Sequence, residues 1–280
     1  MVNVSEALRY AASRLEGAGL EGPRSEASAL LEELLGVSRS ELRLSRARAL
    51  TADEVARLGA WLERREAREP LQHITGVAHF YGLALRVSPD VLVPRPETER
   101  LVEVGLEAVR AVDQPKILDV GTGSGAAALA LKAERPDAEV WATDISAAAL
   151  AVAARNAERL GLEVTFVQAD LVEEPTVRTF ARSADLLVAN PPYLPEGDAL
   201  WLSPEVRRDP KTALFSGRDG LDHARRLLAQ ASRLLQPGAV GVLELDPRNV
   251  RQAEAEATGW GEAKVLTDLV GRERFLRLKK

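Results

Sequence analysis

The sequence predicts an α/β protein: a mostly parallel sheet covered by helices on both faces, with a small N-terminal helical bundle and a connecting β-hairpin. Three observations carry this. From Lys116 onward, short apolar runs alternate with helical patterns, and strand–helix alternation implies a parallel sheet buried on both sides. Residues 3–67 show helical periodicity alone. Between the two, Phe80–Val87 and Val91–Val93 alternate apolar and polar side chains. The expected domains are therefore a helical unit over 1–78, a hairpin and connector over 79–111, and the sheet domain over 112–280.

In chain order, Val4, Leu8, Ala11 and Leu15 fall on one helical face. Asn3 and Glu6 are spaced as a capping pair, and Gly17 and Gly19 stop the run. A second helix opens at Pro23 and stripes Ala27, Leu30, Leu31, Leu34 and Leu35 before Gly36. A short third piece covers Ser40–Arg46, and a fourth opens on the capping box Thr51/Glu54. The hairpin is expected to turn at Ser88-Pro89-Asp90. Pro94-Arg95-Pro96 is stiff because two prolines fix φ, and it feeds a helix over about 97–111. Strands follow at 116–120, 139–144, 164–170, 184–190 and 239–246, with helices at about 124–135, 146–160, 218–236 and 248–258. The tail offers two more strands, joined across Val270-Gly271-Arg272.

Composition excludes several classes. With no cysteine, disulfide scaffolds, thiol nucleophiles and cysteine-bound metals are out. The three histidines, His73, His79 and His223, are scattered, so no metal site is expected. A net charge of −5 without a basic stripe argues against a protein held on nucleic acid by phosphate contacts. The bundle itself is near neutral, with 11 basic and 12 acidic residues over 1–78. No apolar run approaches the roughly 20 residues that span a bilayer, and the first residues lack a signal-peptide pattern. A cytoplasmic protein, off the membrane and monomeric, is expected.

Two signals carry the cofactor chemistry. The first is Asp119-Val120-Gly121-Thr122-Gly123-Ser124-Gly125, directly after a strand and opening a helix. Glycines there let the backbone turn tightly and approach a ligand. The second is Asp144, at the end of the next strand, where a carboxylate can take both hydroxyls of a ribose. A tight turn without a ligand would explain the glycines but not the placed acid. The spacing is G-x-G-x-G with an aspartate two residues before the first glycine, rather than G-x-G-x-x-G. That favours S-adenosylmethionine, whose ammonium an acidic turn can hold, over a dinucleotide whose pyrophosphate needs a helix N-terminus.

A third signal is Asn190-Pro191-Pro192-Tyr193, at the carboxyl end of the fourth sheet strand. Ligands in open α/β sheets bind beyond those ends, so this tetrapeptide and the glycine turn should share one crevice. The prolines remove two backbone donors and fix the path. What remains is the Asn190 amide oxygen and the Pro191 carbonyl, two acceptors that can converge on one –NH₂, with Tyr193 as a flat face. A turn that merely ends a strand would account for the prolines but not for Asn190 and Tyr193. The constellation suits methyl transfer to a planar amide or amine nitrogen.

On these residues the chain resembles the release-factor glutamine N5-methyltransferases, the PrmC/HemK family. The likeness runs from the bundle to the end: EPLQHITG (69–76), FYGL (80–83), VPRPETERLVE (93–103), DVGTGSGAAALAL (119–131), ATDIS (142–146), the NPPY tetrapeptide, SGRDGLDHARRLL (216–228) and DLVGRERF (268–275). The resemblance implies a class I, Rossmann-like methyltransferase sheet and S-adenosylmethionine as methyl donor. It implies as substrate the glutamine of the GGQ motif in class-1 peptide-chain release factors. Carried over by position, Gly121, Thr122, Gly123, Ser124, Gly125 and Asp144 hold the donor, with Asp170 and Leu171 near the adenine and Asn190 beside it. Asn190, Pro191, Pro192 and Tyr193 hold the glutamine side chain, with Asn190, Pro191 and Tyr193 catalytic. Leu171 stands where some members carry an aromatic, and LELD (243–246) where members often read LEIG.

NPPY alone is shared with adenine-N6 methyltransferases acting on DNA or RNA. That alternative needs a basic groove and a sizeable recognition region, whereas this chain adds about 78 near-neutral residues. A non-catalytic binding protein has no use for an amide clamp, and an NAD-dependent oxidoreductase fails on the glycine spacing.

Overall fold

Capping and apolar periodicity build the first helices. α1 (Val4–Gly17) opens on a closed capping box, in which Asn3 and Glu6 exchange side-chain-to-backbone hydrogen bonds. α2 (Pro23–Leu35) carries proline in its first turn, where no N–H is needed, and ends at Gly36 in the left-handed conformation. α3 (Arg39–Leu44) and α4 (Ala52–Glu66) open on the boxes Ser38/Glu41 and Thr51/Glu54, and the short α5 (Leu71–Thr75) follows Pro70. Val4, Ala11, Leu15, Leu30, Leu31, Leu58 and Leu62 close into one apolar cluster. Each large side chain so buried contributes roughly 1.5–3 kcal/mol.

This computed structural model describes residues 2–280, which divide into two units: the chain up to Val77 with Ser203–Arg208, and Ala78–Leu202 with Asp209–Lys280. The segment Ser203–Arg208, expected in the sheet domain, thus belongs with the helical unit. The reason is electrostatic. Glu205 takes ion pairs from Arg65 (3.0 Å) and Arg68 (2.8 Å), and Arg65, only 5 % exposed, also holds Glu26 at 2.7 Å. A buried guanidinium has to be paired, and Glu205 supplies part of that pairing.

At the boundary, where the second unit starts with Ala78, the strands β1 (Val77–Phe80) and β2 (Leu83–Arg86) form a two-stranded sheet. Its turn is Tyr81-Gly82, at φ 48° and 76°, not Ser88-Pro89-Asp90. Two consecutive positive φ values match the twist of a two-residue hairpin, and Gly82 adopts one at no steric cost. Val91–Val93, expected as a strand, is irregular. Next come α6 (Glu99–Ala108), β3 (Lys116–Val120), α7 (Ala126–Glu134), β4 (Glu139–Asp144), α8 (Ala147–Leu160) and β5 (Thr165–Gln168). After these stand α9 (Pro175–Ala181), β6 (Leu186–Ala189), α10 (Asp222–Leu234), β7 (Val240–Glu244), α11 (Val250–Glu256), β8 (Glu262–Thr267) and β9 (Glu273–Lys279).

The larger sheet has the order β5-β4-β3-β6-β7-β9-β8, parallel except for β9, which runs antiparallel to both of its neighbours. Alternate residues face opposite sides. Leu118, Val120, Leu187 and Leu243 pack under α9, α10 and α11, whereas Ile117, Leu186, Val188 and Val242 pack under α6, α7 and α8. Both faces are therefore covered, as the near-continuous apolar runs require. The order reverses between β3 and β6, the switch point beyond whose carboxyl ends ligands bind in open sheets.

Candidate active site

Register sets the site. Val120 pairs with Thr143 on one side and with Ala189 on the other. The next residues, Gly121, Asp144 and Asn190, therefore leave the sheet at one level. They enter an open crevice. The crevice is also lined by Thr122, Gly123, Ser124, Asp170, Leu171, Pro191 and Pro192.

The glycine turn is held by its neighbours. The N–H groups of Gly121 and Thr122 both donate to the Thr143 carbonyl at 2.8 Å. Asp119, 2 % exposed, accepts the Thr122 hydroxyl at 2.7 Å and the Ala128 N–H at 3.2 Å. Burial pushes its carboxyl up to about 6, against those two hydrogen bonds. Asp144 accepts from the Gly123 N–H at 2.9 Å through one oxygen and from the Ser146 N–H at 2.9 Å through the other. Burial raises its pKa as well, opposed by the same backbone donors. Asp144 thus fastens the glycine turn to β4, and its remaining lone pairs are left for a ligand.

Gly121 and Gly123 sit at φ 77° and 56°, and a Cβ at either would meet nothing within 4 Å. Both line the crevice, so their missing side chains keep ligand space clear. Gly125 differs. It does not line the crevice, and a Cβ there would come 3.0 Å from Leu129 Cδ1 and 3.2 Å from Ala153 Cβ. Its role is close packing of the turn onto α7 and α8. On the third strand end, Asp170 pairs with Arg226 at 2.7 Å, and Leu171 takes the left-handed conformation, φ 56°, presenting no aromatic ring.

Asn190 carries the sharpest feature. Its Nδ2 donates to the Thr98 hydroxyl at 3.2 Å, while its Oδ1 is buried with no partner among the described residues. A buried acceptor without a donor costs about 1–3 kcal/mol. Such a group in a crevice marks the place of a ligand donor. Tyr193, expected as a flat face, does not line the crevice; its ring packs half-buried against the cluster under α9, α10 and α11. Burial raises the Tyr193 hydroxyl, with the nearby Glu244 acting in the same direction. The loop behind it is tied by Asn249, whose Nδ2 donates to the Tyr193 and Asp219 carbonyls.

Several lining residues lie outside the expected site residues. Thr98 belongs to the connector, Asp119 opens the glycine-turn motif, and His223 stands in the first turn of α10. His223 Nδ1 lies 2.8 Å from Ser216 Oγ, which also accepts the His223 N–H. That leaves the ring's other nitrogen for its surroundings. Asn156, fully buried, bonds the Arg86 backbone and the Ser124 carbonyl, fastening β2 to the glycine turn. Asp119 is marked by its place two residues before the first glycine, and Thr98 and His223 lie in stretches shared with the family, whereas Asn156 carries no signal in sequence.

Residues 6–76 match the family described as the PrmC N-terminal domain, and residues 101–202 match the methyltransferase small domain. A release factor glutamine methyltransferase of Deinococcus radiodurans is 46 % identical over 281 residues, covering 100 % of this chain and 99 % of that protein. One from Streptomyces coelicolor is 44 % identical, covering 96 % and 95 %. The solved T. thermophilus 16S rRNA N2 G1207 methyltransferase, in complex with AdoMet and guanosine, superposes with a TM-score of 0.55 at 24 % identity. That superposition covers 73 % of this chain and 49 % of that one, and it speaks to the fold.

Proposed function

The chain belongs to the release factor glutamine methyltransferase family, and on that premise we propose that it methylates the side-chain amide nitrogen, N5, of the GGQ glutamine in class-1 peptide-chain release factors. The observation that carries this is the buried Oδ1 of Asn190 beside the glycine turn, unpartnered among the described residues. It is an acceptor waiting for an N–H, and a primary amide supplies one.

The residues present fit S-adenosylmethionine. Gly121 and Gly123 leave open space where side chains would stand. Asp119, Asp144 and Asp170 line the crevice, and Arg95, the arginine among the lining residues, is paired with Asp209 at 2.7 Å. Such a lining suits a cation and repels a pyrophosphate. When bound, the donor supplies a methyl group on a positively charged sulfur. Asp144 would hold the ribose, the turn from Gly121 to Ser124 the amino-acid end, and Asp170 and Leu171 the adenine side.

Asn190 Oδ1 accepts one hydrogen of the substrate amide and the Pro191 carbonyl accepts the other. An amide nitrogen is a poor nucleophile because its lone pair is delocalised. Two acceptors gripping its hydrogens favour tetrahedral geometry, aim the lone pair and stabilise the positive charge that develops. No general base is needed, because the alkylated nitrogen loses its proton readily to water. Pro191 and Pro192 fix the backbone that presents both acceptors.

The helical unit, about residues 1–78, recognises the release factor and does no chemistry. It carries no cofactor motif, and its match is to the PrmC N-terminal domain. The protein works as a cytoplasmic monomer without direct nucleic-acid contact; among the described residues no helix is long and apolar enough to cross a membrane. The test is to incubate the protein with labelled S-adenosylmethionine and either a release factor or duplex DNA, then locate the label by mass spectrometry. Label on the GGQ glutamine is expected. Label on adenine and none on the factor would overturn the reading.

A further inference from the structure

Asn190 works only with its oxygen toward the substrate. Among the described residues its side chain bonds the Thr98 hydroxyl, and a hydroxyl can donate or accept. Thr98 alone therefore does not decide which end of the amide faces it. Something must hold the hydroxyl.

Glu244 is placed to do so. It ends β7, and the register Leu243↔Ala189 puts it level with Asn190 on the adjacent strand. Its side chain is fully buried, and among the described residues neither carboxylate oxygen has a partner at full hydrogen-bond geometry. The Thr98 hydroxyl bears on it from the connector, with Glu97 and Arg95 in the same segment. From β9, Arg274 Nη1 stands 3.8 Å from Glu244 Oε1, and Asp268 and Asp246 in turn bear on Arg274 and its surroundings. The Tyr193 hydroxyl, just beyond β6, is near enough for the charge of Glu244 to raise it.

We infer that Glu244 is a positioning residue: as a carboxylate it takes the Thr98 hydrogen, leaving Thr98 only lone pairs for Asn190, so Asn190 turns its NH₂ to Thr98 and its Oδ1 to the substrate. A carboxylate only accepts, so the chain of donors runs one way, from Asn190 Nδ2 through Thr98 to Glu244. Once protonated, Glu244 can donate to Thr98 instead. The Thr98 hydrogen is then free to meet Asn190 Oδ1, and the amide can turn its NH₂ into the crevice, where the substrate needs an acceptor. Burial raises Glu244 to about 7, opposed by Thr98 and Arg274, so both states are reached near neutral pH.

This inference rests on the amide-clamp reading, and its first test does not need the reaction. In the full-length protein with ¹⁵N-labelled asparagine, the Asn190 side-chain NH₂ signal is assigned by its loss in Asn190→Ala and followed from pH 5.5 to 8.5. A midpoint near 7 is expected in wild type and none in Glu244→Gln or Thr98→Val. A signal that titrates identically in Glu244→Gln overturns the relay. Single-turnover methylation of a release factor then asks whether the relay matters. The wild-type rate should rise with pH through about 7, and Glu244→Gln should be slower by about tenfold or more, the scale on which outer-shell partners act, and flat with pH. Thr98→Ser should keep the wild-type profile, whereas Thr98→Val should match Glu244→Gln; if Glu244→Gln does not fold, this threonine pair decides. Wild-type rate and profile in both Glu244→Gln and Thr98→Val would also overturn it. A wild-type protein whose Asn190 signal titrates but which methylates no glutamine would refute the proposed substrate and leave the relay standing.

Discussion

Asn190→Ala is the perturbation on which the catalytic reading turns. The substitution removes one acceptor already aimed into the crevice, its Oδ1 having no partner to leave among the described residues. It also strips the Thr98 hydroxyl of the Nδ2–H it accepts at 3.2 Å. Losing one pre-aimed polar group of this kind typically lowers kcat by about 10²–10³, roughly 2.7–4 kcal/mol. Donor binding should change little. The turn is held by Asp119, Asp144 and the Thr143 carbonyl, none of which bonds Asn190. The assay is single-turnover methylation of a release factor, with calorimetry of S-adenosylmethionine alongside to separate chemistry from binding. Asn190→Asp keeps an acceptor but adds a negative charge next to the place of the sulfonium and loses the NH₂ that Thr98 accepts. Its rate should lie between wild type and Ala. An unchanged single-turnover rate in Asn190→Ala would refute the amide clamp and the mechanism built on it.

Asp144→Ala removes a carboxylate that also fastens the glycine turn, so donor binding measured by calorimetry should weaken by about 1.5–3 kcal/mol, the scale of hydrogen bonds to a charged group; wild-type affinity would rule out its role. Gly125→Ala places a Cβ 3.0 Å from Leu129 Cδ1 at φ 85°, and denaturant melts should show a loss of about 1–3 kcal/mol from overpacking and left-handed strain. Glu244→Gln should slow methylation yet stabilise the fold at alkaline pH. The folded pKa of Glu244 is raised from 4.5 to about 7, so stability is full below 4.5 and falls as pH rises through 7. The variant should then gain at most about 3 kcal/mol over wild type at pH 8 and nothing at pH 4; a constant difference across that range would contradict the buried charge. Deleting residues 2–77 should spare donor binding but impair methylation of the intact release factor. Ser203–Arg208 would lose Arg65 and Arg68, so Glu205→Ala in the full chain is the paired control.

The parallel sheet was legible because its determinants are local. The runs at 116–120 and 139–144 are apolar on both faces and end at glycine or aspartate, and both strands occupy those residues. The hairpin turn is not legible, because Ser-Pro-Asp resembles a turn by composition, whereas the real turn depends on two positive φ values at Tyr81 and Gly82, one of them in a residue that rarely adopts it. α9 went unseen because seven residues carry too little periodicity to register, although Pro175 opens it and Glu174 caps it. Ser203–Arg208 could not be assigned from its neighbours, because its place depends on an ion pair 140 residues away. The same limit divides the site. Gly121, Gly123, Asp144 and Asn190 belong to motifs whose spacing follows from strand, turn and strand end, so sequence reading finds them together. Thr98 sits in the VPRPETERLVE connector and Glu244 in LELD at a strand end, 146 positions apart in numbering, and neither stretch shows by itself that the two residues meet. What joins them is the register of β6 against β7 and the path of the connector beside it. A residue that touches substrate has to be a particular chemical type at a fixed place on the backbone, and so leaves a mark in the sequence. A residue that orients another can come from any element the fold brings near. That is why the acceptor on Asn190 is legible in the sequence, and the group that aims it is not.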